Sequence, residues 1–210
     1  MHRIDPDDPE PKAIAWAASI ALRGGVIAYP TETFYGLGAR PDQVAAVERI
    51  YRIKGRSFQK ALPLIAADID AARSVVKEWP PVAERLACAF WPGPLTLIAL
   101  ASSHLPPLLH AHTGKIAVRA SSHPVARALA SAIGGVMTAT SANIAGEPPS
   151  NTPEGISCTL LSRVDGVLHG GATVGGLAST IVDVSGETPR LVRAGVFGWP
   201  EILEALERNS

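Results

Sequence analysis

Apolar residues in this chain follow two rhythms in turn, and the alternation predicts short strands interleaved with helices. Over residues 13–23, Ile14, Ala17, Ala18, Ala21 and Leu22 recur at helical spacing, and Gly24-Gly25 ends the run. Residues 26–29 form a brief apolar stretch that reads as a buried strand. A helix reaching to residue 53, N-capped by Asp42, would place Val44, Val47, Ile50 and Tyr51 on one face. A strand at 62–66, a helix at 69–79 and a helix at 81–90 follow, with Pro81 suited to a first turn. Further strands are predicted at 95–100, 116–119, 135–138, 167–169, 180–184 and 191–192, and helices at 125–133, 154–161 and 200–207. Proline and glycine gather between these elements, and no repeat or linker divides the chain. The pattern predicts one α/β domain over residues 11–208 after a tail at 1–10, its twisted mixed sheet flanked by helices.

Composition narrows the class. A chain of 210 residues, 47% hydrophobic and 18% charged, is neither disordered nor strongly charged. No apolar run approaches the roughly 20 residues that span a bilayer, and the acidic N-terminus is unlike a secretory signal. A cytoplasmic protein with no membrane association is the expectation. Cys88 and Cys158 lie in unrelated segments without a CxxC pair, and they read as buried small residues.

The 19 basic and 19 acidic residues cancel in number but not in distribution. Residues 85–146 contain no Asp or Glu yet carry Arg85, Lys115, Arg119 and Arg127. Residues 49–67 are also acid-free and carry Arg49, Arg52, Lys54, Arg56 and Lys60. Two explanations stand side by side: these segments are largely buried, or they line an anion site that repels carboxylates.

Several catalytic devices are absent, among them GxxxxGK[ST], GxGxxG after a strand, HExxH and GxSxG. His104, His110 and His112 sit among Leu, Pro and Ala and read as a surface loop. His123 reads as a helix start, while His2 and His169 stand alone; Asp68 and Asp70 read as solvated helix starts. What remains is polar residues at strand ends, where ligand-contacting loops gather in α/β sheets. Pro30-Thr31-Glu32-Thr33-Phe34-Tyr35-Gly36-Leu37-Gly38 follows the first strand. Lys54-Gly55-Arg56, with Lys60 beyond it, combines a point charge, a planar fork and a bare backbone suited to a polyphosphate. Thr138 to Asn143 supplies hydroxyl and amide groups on small residues, and Arg119 ends an apolar run.

In this order the segments resemble the YrdC-type threonylcarbamoyl-AMP synthase family. The resemblance rests on Gly24–Thr33 with Tyr35-Gly36-Leu37-Gly38, Lys54-x-Arg56, Trp91-Pro92-Gly93-Pro94-Leu95-Thr96 and Ala117-Val118-Arg119. It continues through Ser141-Ala142-Asn143, Ser179-Thr180-Ile181-Val182-Asp183 and Arg193-Ala194-Gly195. It implies a sheet wrapped around a deep, positively charged cavity, and the short, single-domain form of the family. The implied reaction joins ATP, L-threonine and bicarbonate into threonylcarbamoyl-AMP and pyrophosphate, for N6-threonylcarbamoyladenosine formation in tRNA by a downstream threonylcarbamoyl transferase complex. By the same resemblance, Lys54, Arg56, Ser141 and Asn143 are the catalytic candidates. Thr31, Arg119, Ala139 (through its backbone) and Ser179 match threonine-binding positions, while Arg56, Lys60, Lys115, Ser141, Pro149 and Arg193 match ATP-binding ones. Mg²⁺ is expected with the ATP, and no protein metal site is expected.

The chain departs from the family pattern at Ser57, where proline is frequent, and in Ala61-Leu62-Pro63-Leu64, where Pro-Leu is frequent. It departs also near Ile65, where some members have a threonine-contacting histidine, and at Ala120-Ser121, where x-Pro is frequent. Two alternatives therefore stay open. One is a related carbamoyl-adenylate enzyme with a different acceptor. The other is an RNA-binding module contacting tRNA or double-stranded RNA; low aromatic content, 5%, argues against single-strand stacking.

Overall fold

The computed structural model describes residues 1–208. Its elements run β1 (His2–Arg3), α1 (Pro11–Leu22), β2 (Ile27–Tyr29), β3 (Gly36–Gly38), α2 (Val44–Lys54), β4 (Leu64–Ala66), α3 (Ile69–Ser74) and α4 (Pro81–Phe90). They continue with β5 (Leu95–Leu100), β6 (Lys115–Ala120), α5 (Pro124–Ala132), β7 (Val136–Thr138), β8 (Thr140–Ser141) and α6 (Cys158–Leu161). The last are β9 (Gly166–His169), β10 (Thr180–Asp183), β11 (Arg190–Arg193) and α7 (Trp199–Glu207).

The expected mixed sheet is present as two. One has the order β1-β9-β2-β3-β8 and the other β11-β10-β5-β6-β4-β7, each with parallel and antiparallel neighbours. The chain passes from the second sheet to the first at Ala139, between β7 and β8. Thr138 ties that corner: its N–H donates to the Ala39 carbonyl at 3.0 Å, and its hydroxyl accepts the Ala39 N–H at 2.9 Å. Tyr29 reaches the same place, donating to the Thr138 carbonyl at 3.3 Å.

Two apolar clusters hold the layers. The larger gathers Leu37, Val47 and Ile50 with Leu86, Leu97 and Val118. The smaller joins α1 to α5 across β2 through Ala17, Ile27, Val125 and Leu129. Small alanines on α1 allow this close approach, and each buried Leu or Ile contributes roughly 1.5–3 kcal/mol.

Several boundaries differ from the expectation for local reasons. Asp42 is paired with Arg40, so α2 begins after Gln43 with no side-chain cap. The helix predicted at 69–79 stops at Ser74; Val76 instead bridges Ala101, and the Lys77 N–H donates to the Leu100 carbonyl. The helix predicted at 154–161 shrinks to one turn, because Ser157 caps it by accepting from the Leu160 N–H. Residues 2–3, expected as tail, pair with β9, and Ile4 is buried beside them. Cys88 and Cys158 are exposed, not buried. His2 and His169 do not stand alone: His2 stacks on Trp16, and His169 Nε2 lies 2.8 Å from the Glu154 carboxylate. Strands β3 and β8 escaped the hydrophobic pattern. β3 is Gly-Leu-Gly, and its glycines are needed because the Tyr29 ring lies against them, 2.8 Å from where a Cβ on Gly38 would sit.

No helix among the described residues is long and apolar enough to cross a membrane.

Candidate active site

A cavity of about 450 Å³ opens between the two sheets. The six-stranded sheet supplies its floor. Register places Ile65 on β4 opposite Arg119 on β6, Ile98 on β5 opposite Ala117, and Thr96 on β5 opposite Ile181 on β10. All six line the cavity. The loop after β2 supplies the facing wall with Thr31, Thr33, Phe34 and Tyr35. Thr31 shapes that loop: its hydroxyl donates to the Phe34 carbonyl at 2.7 Å and accepts the Thr33 N–H at 3.2 Å. Thr33 in turn anchors a neighbouring loop, its carbonyl accepting the Thr173 hydroxyl and the Gly175 N–H, each at 2.8 Å.

A Schellman turn aims the first cation. After α2, Gly55 takes the left-handed conformation at φ 60°, and the Gly55 and Arg56 N–H groups close back on the Arg52 and Tyr51 carbonyls. Lys54 therefore turns inward while Arg56 faces the cavity. Arg56 is held by the Ala61 carbonyl at 2.8 Å and the Lys60 carbonyl at 3.3 Å. Burial lowers its pKa from the ordinary arginine value. On the opposite rim Arg193 donates to the Ser179 carbonyl at 2.7 Å and to the Ser179 hydroxyl at 3.0 Å, and that hydroxyl lies 2.9 Å from Thr96 Oγ1.

Arg119 is held differently. It is nine-tenths buried and pairs with Glu32, whose other carboxylate oxygen accepts the Ser121 hydroxyl. Burial lowers its guanidinium pKa, and the charge of Arg193 acts in the same direction. Among the described residues no Asp or Glu lines the cavity itself.

Of the twelve residues expected in the site, the cavity brings eight together: Thr31, Arg56, Arg119 and Ala139 with Ser141, Pro149, Ser179 and Arg193. The Ala139 N–H is already spent on the Pro63 carbonyl at 2.8 Å. Four lie outside the lining. Lys54 is 2% exposed, and its ammonium donates to the Ser141 carbonyl, to the Asn143 carbonyl at 2.7 Å and to Asn143 Oδ1 at 3.2 Å. Three acceptors occupy its three donors, and the ammonium faces the Ser141–Asn143 turn. Burial chiefly, and the Arg56 charge after it, lower that ammonium to about 8. Asn143 braces the same turn, donating to the Glu147 carbonyl at 2.6 Å and receiving the Ser141 hydroxyl on Oδ1. Lys115 pairs with Asp183 at 3.0 Å; although burial opposes it, the bonds from Ser185 and Lys115 hold that carboxyl down to about 2. Lys60 is exposed.

Sequence reasoning assigned no role to Tyr35, Thr96 or the floor residues Ile65, Ile98, Ala117 and Ile181. Tyr35 and Thr96 stood inside quoted motifs. Ala117 and Ile181 also lay within those motifs and Ile65 near a departure from the family pattern, but none was marked as facing a ligand, because strands buried on both faces show no polar alternation.

Comparison with known proteins agrees with this geometry. A family model named Sua5_yciO_yrdC, described as "Telomere recombination", matches residues 19–195. The chain belongs to this family. The threonylcarbamoyl-AMP synthase of Xanthomonas campestris pv. campestris (strain B100) is 40% identical over 183 residues, covering 84% of this chain and 95% of that protein. P. abyssi Sua5, solved in complex with L-threonine, superposes with a TM-score of 0.92 at 33% identity, over 98% of this chain and 61% of that one. E. coli YciO superposes with a TM-score of 0.88 at 32% identity, over 96% and 98%.

Proposed function

We propose that this member of the family is a threonylcarbamoyl-AMP synthase that condenses L-threonine, bicarbonate and ATP. The observation that carries the reading is the convergence of Arg56, Arg119 and Arg193 on one cavity that no carboxylate among the described residues lines. Its volume, about 450 Å³, lies within the range of small-molecule sites. The names of the relatives and the threonine complex of P. abyssi Sua5 support the choice of substrates.

In this reading Arg56, Ser141, Pro149 and Arg193 take the nucleotide, and Thr31, Arg119, Ala139 and Ser179 take the amino acid. The threonine amine attacks the bicarbonate carbon, forming a C–N bond and releasing water. A carbamate oxygen then attacks the α-phosphorus, and the bond to pyrophosphate breaks with its electron pair leaving on pyrophosphate. Both steps concentrate negative charge, so fixed guanidinium groups and close placement lower the barrier more than a side-chain proton shuttle would. Lys54 and Asn143 act through the Ser141 turn, which they hold in place.

Among the described residues no cluster of His, Cys, Asp or Glu suits a metal ion. Thr140 and Ser141 of the lining carry neutral hydroxyl groups, which would suit Mg²⁺ brought in on the triphosphate, where it would shield phosphate charge. The product would feed N6-threonylcarbamoyladenosine formation in tRNA.

Pyrophosphate release tests the reading. Release that requires both threonine and bicarbonate supports it. Release with another amine or with carbamoyl phosphate points to a different acceptor, and salt-sensitive RNA binding without ATP turnover points to a binding module.

A further inference from the structure

The three arginines of the cavity are not equivalent. Arg56 bonds only to backbone carbonyls and Arg193 only to oxygens of Ser179, so both keep their full charge toward the cavity. Arg119 alone has a carboxylate partner, Glu32, and the two side chains are 10% and 11% exposed. Glu32 does not line the cavity, although Thr31 and Thr33 on either side of it do. It stands behind Arg119, with its second oxygen held by the wholly buried Ser121.

We propose that Glu32 is a specificity-determining residue, cancelling the charge of Arg119 from behind so that this end of the cavity accepts a single carboxylate and leaves phosphate groups to Arg56 and Arg193. The inference rests on the reading that Arg119 faces the amino acid. The physical need is plain. Arg119 and Arg193 line the same cavity. Without a counter-charge they would form one continuous positive field, and a triphosphate or departing pyrophosphate would settle across both ends. A neutral Arg119–Glu32 pair keeps its fork of N–H donors for a carboxylate but offers little long-range attraction to a polyanion. The same pairing offsets the desolvation of Arg119, which would otherwise be a buried charge without a partner.

Calorimetric titration of inorganic pyrophosphate into the nucleotide-free protein tests this. The wild type and Glu32→Asp should bind one pyrophosphate that L-threonine does not displace. Glu32→Gln keeps an acceptor for Arg119 but removes the charge, and it should bind a second pyrophosphate that L-threonine does displace. In turnover the same variant should become sensitive to pyrophosphate competing with threonine, by on the order of tenfold. Its KM for threonine should rise by no more than about threefold, because the hydrogen-bonding geometry is kept. Glu32→Met serves the same titration if the glutamine variant does not fold. A purely structural Glu32 would raise every KM and lower Tm without creating a new anion site. A single, threonine-insensitive pyrophosphate site in the neutral variants overturns the proposal. Failure of the wild type to bind L-threonine would instead overturn the functional reading, while the number of pyrophosphate sites would still decide the role of Glu32.

Discussion

Replacing Lys54 with methionine separates a lysine that holds the site from one that touches phosphate. Methionine keeps the unbranched apolar stem and removes only the ammonium. Three acceptors lose the ammonium: the Asn143 carbonyl is left without another partner, while the Ser141 carbonyl keeps the Asn143 N–H and Asn143 Oδ1 keeps the Ser141 hydroxyl. A hydrogen bond to a charged group contributes about 1.5–3 kcal/mol, so losing three costs about 4.5–9 kcal/mol. Removing a charge that burial has already lowered from 10.5 to about 8 returns part of this, roughly 2.5 × 1.36, or about 3 kcal/mol. The net loss is about 3 kcal/mol, which for a chain of this size lowers Tm by roughly 6–12 °C. Thermal unfolding followed by circular dichroism reads the stability, and pyrophosphate release reads the activity. Arg56→Ala is the comparison. That side chain is half-buried and bonds to loop carbonyls, so turnover should fall by on the order of a hundredfold with Tm changed by less than about 2 °C. A Lys54→Met protein that melts with the wild type yet loses turnover as Arg56→Ala does would refute the clamp.

Two further outcomes follow from local geometry. Burial, with Asp7 acting weakly against it, lowers His123 from 6.5 to about 4, and its neutral Nδ1 accepts the Val125 N–H at the start of α5. The unfolded chain binds the proton first, so this stabilisation is complete above about pH 6.5 and is lost as pH falls through 4. It amounts to about 3 kcal/mol, and urea unfolding at pH 7 and at pH 4.5 should show most of it in the wild type and little of it in His123→Asn, which keeps an acceptor. Gly38→Ala would set a methyl 2.8 Å from Tyr29 Cε1 and 3.1 Å from Met137 Sδ, costing about 1–3 kcal/mol in urea unfolding. Gly186→Ala, with nothing within 4 Å, should leave the midpoint unchanged.

Much of the architecture was legible because strands and helices differ in period and because Pro81 and Pro124 mark first turns. What the pattern missed was short or shared. β3 and β8 are three and two residues long, too short for any period, and β3 owes its glycines to a ring contributed by another strand. The division into two sheets turns on Thr138 and Ala39, which are far apart in sequence and carry no local signal. Charge was legible as an absence: the acid-free segments supply Arg56 and Arg119 to one cavity. Charge state and direction were not. Lys54 and Arg56 look alike in a KGR motif, yet the left-handed Gly55 sends one into the fold and the other into the cavity. Glu32 was visible within its loop, but only the folded chain sets it behind Arg119.

The central claim is that one cavity places a nucleotide beside a small amino acid and that fixed charge does the rest. It is tested most directly by incubating the protein with ATP, Mg²⁺, L-threonine and ¹³C-labelled bicarbonate and analysing the mixture by mass spectrometry. The account predicts threonylcarbamoyl-AMP carrying one ¹³C, formed only when all substrates are present and lost in Arg56→Ala and Arg119→Ala. Absence of that species from the active, folded protein, or its undiminished formation by both arginine variants, would contradict it.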